Sequence, residues 1–294
     1  HKDFGSGDRV CYHGVMDAFR NPKPAAALYA SQGEGTTVLT ACTPMDIGDY
    51  PGGQIGDSAV LTNADSVRLY KNGNYVTTLR TGDYPGLPHP PMILDDIIGE
   101  LLETQEGFDE KKADLLRACL LAVRKHGLAH LPPADLARMG VAMTKYGLTF
   151  ADAQKLYGKY VGNWGGESTV WRLDALKGGK VASSVTLCPS AKLHLEVTPS
   201  HTELTERDTY DMAAVRVRIL DEYGSPAPYA QLPVTFRLEG AAELVGPEVT
   251  TAEGGMTGTY VKTTGETGTA VLTVTTSQTE AVRIAFTVGR KPER

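Results

Sequence analysis

Residues 192–197 read KLHLEV, and the alternation of apolar and polar side chains there sets the pattern for the rest of the chain. A period of two puts Leu193, Leu195 and Val197 on one face of a strand. The same period returns in Val215, Val217 and Ile219, then in Val234, Phe236 and Leu238. It returns again in Ala270, Leu272 and Val274, and last in Val282, Ile284, Phe286 and Val288. Turn-forming stretches, DEYGSPAP (221–228) and TTGETG (263–268), separate the runs. About seven short strands over about a hundred residues predict an immunoglobulin-like β-sandwich across residues 191–294. It has no Cys–Trp–Cys core, so it is not antibody-like. TLCPS (186–190) reads as the linker before it.

N-terminal to that linker the texture changes twice. WRLDALKGGKVASSVTL (171–187) predicts a hairpin turning on Gly178-Gly179. SVRLYKNGNYVTTL (66–79) predicts another, because Asn72-Gly73 supplies the positive φ angles of a two-residue turn. Between them, residues 93–162 carry helical spacing, after prolines 88, 90 and 91 have stiffened the chain. Ile97, Ile98, Leu101 and Leu102 share one face. A second helix starts on Asp109 and ends at Gly127, with Leu116, Cys119, Leu120 and Val123 inward. Arg124, Lys125 and His126 in its last turn suit the negative end of the helix dipole. A third opens at Pro133 with Leu136, Met139 and Met143 at helical spacing. Thr149 and Asp152 form a capping-box pattern for a fourth, whose face is Ala153, Leu156, Tyr157 and Tyr160. The expected architecture is mainly β: two immunoglobulin-like sandwiches, at 33–190 and 191–294, the first carrying an α-helical insert at about 93–162.

Composition narrows the function classes. The 294 residues carry a formal charge of −6, which argues against nucleic acid or an anionic membrane as partner. No apolar run reaches the roughly 20 residues of a membrane-spanning helix. Four scattered cysteines (Cys11, Cys42, Cys119 and Cys188) lack metal-ligand spacing. They predict reduced thiols in a cytoplasmic protein, two of them buried as small hydrophobes.

Candidate site residues each carry two readings. His1, Lys2, Asp3 and Phe4 line the edge of a sugar pocket, or are an exposed start. His89, held between prolines, is presented to a ligand or simply packs. Trp164, in NWGGES (163–168), stacks on a sugar ring or anchors a domain interface. Asp46 with Asp49, and Asp95 with Asp96, read as loop solvation and helix capping rather than as a hydrolytic pair. TERDTYD (205–211) is a weak calcium candidate without regular oxygen spacing. Neither catalytic residues, nor a metal site, nor a cofactor site is expected, and GxSxG, HExxH and phosphate-cradling motifs are absent from the sequence.

The first 32 residues, HKDFGSGDRVCYHGVMDAFRNPKPAAALYASQ, resemble the end of the catalytic (β/α)8 barrel in glycoside hydrolase family 2, the family of β-galactosidases and β-glucuronidases. Lys2-Asp3-Phe4, Gly14-Val15-Met16-Asp17 and Pro22-Lys23-Pro24-Ala25-Ala26 carry that likeness. TNADSVRLYKNGNYV (62–76) resembles the fourth-domain sandwich of the family, where N-x-D-x-V-x-L-x-x-N-G recurs; Asn63, Asp65, Val67, Leu69, Asn72 and Gly73 match. LDEYGSPAPYAQLPVTFRLEG (220–240) and TGETGTAVLTV (264–274) resemble its fifth domain, a bacterial Ig-like module. The helical insert departs from the common fourth domain.

The resemblance implies the C-terminal portion of a larger retaining glycosidase, opening on the severed last loop and helix of its barrel at 1–32. The family uses two glutamates, an acid/base in an Asn-Glu pair and a nucleophile on a later strand. Neither has a counterpart here. Implied partners are a β-linked carbohydrate held by the missing barrel, the upstream catalytic domain of the same polypeptide, and further copies in a homo-oligomer. Two rival readings are a carbohydrate-binding module, which needs a coplanar row of aromatics, and an adhesion protein of Ig-like repeats. Tyr210, Tyr223, Tyr229 and Tyr260 are dispersed along the last domain.

Overall fold

A computed structural model describes residues 14–46, 55–82, 84–162, 168–189 and 192–290. They divide into two units, one within 27–189 and one made of 14–26 with 192–290. After α1 (Pro24–Ala30), the first unit runs through β1 (Leu39–Ala41), β2 (Ser58–Thr62), β3 (Ser66–Lys71), β4 (Asn74–Leu79) and β5 (Met92–Leu94). The helical stretch holds α2 (Leu101–Glu106), α3 (Glu110–His126), α4 (Pro133–Tyr146) and α5 (Phe150–Tyr157), and β6 (Trp171–Lys177) and β7 (Lys180–Leu187) close the unit. Two antiparallel sheets result, ordered β1-β2-β5 and β4-β3-β6-β7. Both hairpins form as expected. Asn72 and Gly73 take φ of 48° and 80°, Gly178 and Gly179 take 56° and 76°, and such turns match the twist of the paired strands.

One apolar core joins the two sheets to the helices. Val60, Met92 and Leu94 come from one sheet, Val67, Leu69 and Trp171 from the other, and Ile97, Leu101, Leu116 and Leu120 from the insert. Asp96 starts the insert by accepting the backbone N–H groups of Ile98 and Gly99 at 2.9 and 2.8 Å. A Cβ on Gly99, whose φ is +47°, would sit 1.8 Å from the Val76 carbonyl oxygen, so only glycine lets the chain pass β4 there. Asp109 caps α3 as expected, and Thr149 and Asp152 form the reciprocal capping box of α5.

Three readings change. Ile97 and Ile98 are buried but precede α2, which starts only at Leu101. Leu136 is 52% exposed, so the packed face of α4 begins at Met139. Arg124 is not a surface partner of the helix dipole. Its guanidinium is buried and donates to the carbonyls of Ile55, Gly56 and Asp95 at 2.7, 2.7 and 2.6 Å. Helix periodicity puts Arg124 on the same inward side as Leu116 and Leu120, and the planar fork of donors makes that burial tolerable.

The second unit is an Ig-like sandwich of nine strands rather than about seven. They are β8 (His194–Pro199), β9 (Glu203–Glu206), β10 (Met212–Leu220), β11 (Pro233–Gly240), β12 (Ala242–Val245), β13 (Val249–Thr251), β14 (Met256–Thr263), β15 (Gly268–Thr275) and β16 (Val282–Arg290). One sheet is ordered β12-β14-β10-β8 and the other β13-β11-β15-β16-β9. Four of these strands, β9, β12, β13 and β14, lie outside the five alternating runs. β9, β12 and β13 are only three or four residues long, and the inward positions of β14 are mostly Thr257, Thr259 and Thr263, which show no apolar alternation. β9 pairs parallel with β16, so the chain changes sheets between β8 and β9. The alternation falls where KLHLEV and its repeats place it. Val215, Val217, Ile219, Ala270, Leu272 and Val274 are all fully buried.

Residues 14–22 lie on this sandwich. Asp17 accepts the N–H groups of Phe19 and Asn21, and Arg20 takes a φ of 69° inside the turn. Asn21, buried, donates to the Thr257 carbonyl at 2.9 Å. Phe19 lies over Gly258, where a Cβ would come within 2.5 Å of the ring, and the Tyr260 hydroxyl donates to the Ala18 carbonyl.

Candidate functional site

His1, Asp3, Phe4 and Trp164, the residues proposed to meet sugar, lie outside the described residues, as do Lys2 and Asp49. Among the described residues, no three His, Cys, Asp or Glu side chains cluster to hold a metal ion. Residues 205–211, the weak calcium candidate, belong to no such cluster, and Asp211 there has a structural task. Its two oxygens accept the N–H groups of Thr205 and Met212, each at 2.8 Å, and so tie β9 to β10.

The matched motif residues turn out to be fasteners. Asn63 accepts the N–H of Val38 and donates to the carbonyls of Gly33 and Thr36, fixing the chain that leads into β1. Asp65 accepts the N–H of Gly178 and so holds the far hairpin turn, and Asn72 accepts that of Val170 just before β6. Gln32 and His89 form a two-way clamp. The Gln32 amide donates to the His89 carbonyl at 2.8 Å and accepts its N–H at 3.1 Å. The His89 ring, 19% exposed, meets the exposed carboxylate of Glu34 at 3.0 Å. His89 is thus held through its backbone, with its imidazole largely packed in. Buried backbone groups need partners, and short polar side chains at fixed offsets supply them.

One strongly perturbed polar group is a lysine the sequence reading passed over. Lys71 sits on β3 in register with Val67 and Leu69, so the pleat points it inward. Its ammonium donates to the carbonyls of Lys159 and Tyr160 at 2.9 and 3.3 Å, in the π-helical turn Gly158–Gly162 that continues α5. The rings of Trp171 and Tyr160 stand 5.4 and 5.9 Å away. Burial, aided by the nearby Lys159 charge, pulls its pKa down to about 8. Beside it, the Tyr160 hydroxyl donates to Glu106 at 2.6 Å and Lys159 pairs with the same carboxylate at 2.5 Å. Hydrogen bonds from Lys159 and Tyr160 hold the Glu106 carboxyl below its ordinary range. A lysine with a lowered pKa is a nucleophile candidate elsewhere. Here its protons are taken by carbonyls, and the group works as an internal tie between β3 and the end of the insert. The signal was present in the sequence: a lysine at an inward position of a strand.

Two sandwiches whose matched polar residues fasten loops and turns define a set of accessory β-domains. Residues 195–285 match the family model of glycoside hydrolase family 2 C-terminal domain 5. A β-galactosidase of Thermoanaerobacter pseudethanolicus is 28% identical over 275 residues, covering 92% of this chain and 29% of that protein. A β-galactosidase of Rhizobium radiobacter is 34% identical over 96 residues, 32% of this chain and 67% of that sequence. Among solved structures, a β-glycosidase from Bacteroides vulgatus shares the fold over 94% of this chain and 28% of its own, with a TM-score of 0.56 at 15% identity. The chain belongs to glycoside hydrolase family 2. It matches the C-terminal region of such enzymes and spans about three tenths of the length of the Thermoanaerobacter relative.

Proposed function

We propose that these residues are the C-terminal accessory domains of a retaining β-galactosidase whose two catalytic glutamates lie on a barrel outside this chain. The observation that carries the reading is the 275-residue match to a β-galactosidase of which this chain spans 29%. The roles of Asn63, Asp65, Asn72 and Gln32 support it, because each braces the sandwich instead of facing a ligand. In this reading residues 1–32 close the barrel, His1, Asp3 and Phe4 border its sugar pocket, and Trp164 stacks nearby. The substrate is a β-linked galactoside, and the whole enzyme works as a homo-oligomer in the bacterial cytoplasm.

The test is turnover of 4-nitrophenyl β-galactoside. The purified 294-residue chain releases no nitrophenol between pH 4 and 8, because retaining hydrolysis needs two carboxyl groups held about 5–5.5 Å apart. The same chain fused behind the barrel of the Thermoanaerobacter relative does release it. Steady turnover by the 294 residues alone overturns the proposal.

A further inference from the structure

The insert forms a half-open cavity of about 420 Å³ between α3, α4 and α5. Its deeper wall is Leu116, Leu120, Ala142 and Leu156, all buried. Leu128 and Phe150, 52% and 63% exposed, also line it. Among the described residues no charged side chain lines it, and its polar edges are confined to the Cys119 thiol, Gln154 and Tyr157. The volume lies within the roughly 300–1,000 Å³ of small-molecule sites.

We propose that this cavity binds a small uncharged apolar molecule, an aromatic ring system or a short alkyl chain. A sugar does not fit the chemistry, since each buried hydroxyl without a partner costs about 1–3 kcal/mol and the wall offers few. An anion or a cation finds no countercharge. Water is poorly held in a cavity with so few polar partners, so an apolar guest gains contacts that solvent leaves unmade. Met139 and Met143 reinforce this, because unbranched thioether side chains reshape around guests of different outline. Burial raises the Cys119 thiol above its ordinary pKa and keeps that part of the wall neutral. A half-open cavity of this size among three helices suits a compact guest better than a partner's helix. The inference does not depend on what the family's barrel hydrolyses.

The experiment titrates the 294-residue chain with N-phenyl-1-naphthylamine. Saturable, blue-shifted emission at one probe per chain is expected, displaced by naphthalene and unaffected by galactose. Ala153→Trp, at the cavity wall, should weaken binding at least tenfold while the circular dichroism spectrum stays unchanged. A second readout needs no variant. Bound probe should slow N-ethylmaleimide labelling of Cys119 several-fold, with labelling of the exposed Cys42 as the unchanged reference. Emission that never saturates, or Cys119 labelling indifferent to the probe, refutes the proposal. So does self-association of the chain that masks Phe150 and excludes the probe, which would make the cavity part of a protein interface.

Discussion

Replacing Arg124 with leucine should uncouple the helical insert from the sandwich it interrupts. The guanidinium holds three carbonyls, of Ile55, Gly56 and Asp95, and these belong to the segments just before β2 and just after β5. Hydrogen bonds from a charged donor contribute about 1.5–3 kcal/mol each, so simple addition gives about 5–9 kcal/mol. Two corrections lower that sum. Leucine removes the buried charge and with it a desolvation cost of several kcal/mol, and water can reach part of the stranded backbone. The Asp57 ion pair, at 3.4 Å to a half-exposed carboxylate, adds less than about 1 kcal/mol. A net loss of about 3 kcal/mol remains. Arg124→Lys should lose about 2 kcal/mol, since a single ammonium cannot span the three acceptors as a planar fork does. The assay is urea unfolding followed by tryptophan emission. Both tryptophans, Trp164 and Trp171, lie within the 27–189 stretch, so the signal reports that unit and ignores the Ig-like one. A midpoint for Arg124→Leu within about 0.5 kcal/mol of the unsubstituted chain, at equal slope, would refute the clamp.

Three further outcomes are expected. Gly99→Ala should cost about 2–5 kcal/mol in the same assay, combining a positive φ with a Cβ driven into the Val76 carbonyl; a cost below about 1 kcal/mol would mean the backbone passes β4 differently. For Lys71 the folded pKa of about 8 lies below the ordinary 10.5, so between those values the unfolded chain holds a proton that the folded chain does not. Tryptophan-monitored stability should therefore rise from pH 8 to 10 in the unsubstituted chain and stay nearly flat in Lys71→Met; parallel profiles would return Lys71 to an ordinary titration. Residues 191–294 should unfold cooperatively on their own, but with a lower midpoint than a protein that also carries residues 14–26, which supply the Asn21–Thr257 bond and the Phe19 contact on Gly258. Equal midpoints would make that contact incidental.

The sequence by itself determined both sandwiches and most of the helices, because each rests on short-range rules. Alternation over five or more residues recurs from KLHLEV to Val288, and two-residue turns at Asn72-Gly73 and Gly178-Gly179 need positive φ that few residues accept. The caps at Asp109 and Thr149 are equally local. Short strands such as β12 and β13 escaped because they hold too few residues to show a period. The polar ties were beyond sequence reasoning for a different reason. Asp65 meets Gly178 across 113 positions, Asn21 meets Thr257 across 236, and Arg124 meets Ile55 across 69. A side chain's type states what it can donate or accept, but only the fold decides which distant carbonyl lies within 3 Å of it. Lys71 and Arg124 look alike on paper, two cations in amphipathic elements. Their burial follows from the pleat of one strand and the inward face of one helix, and tertiary packing alone supplied the carbonyls that hold them there.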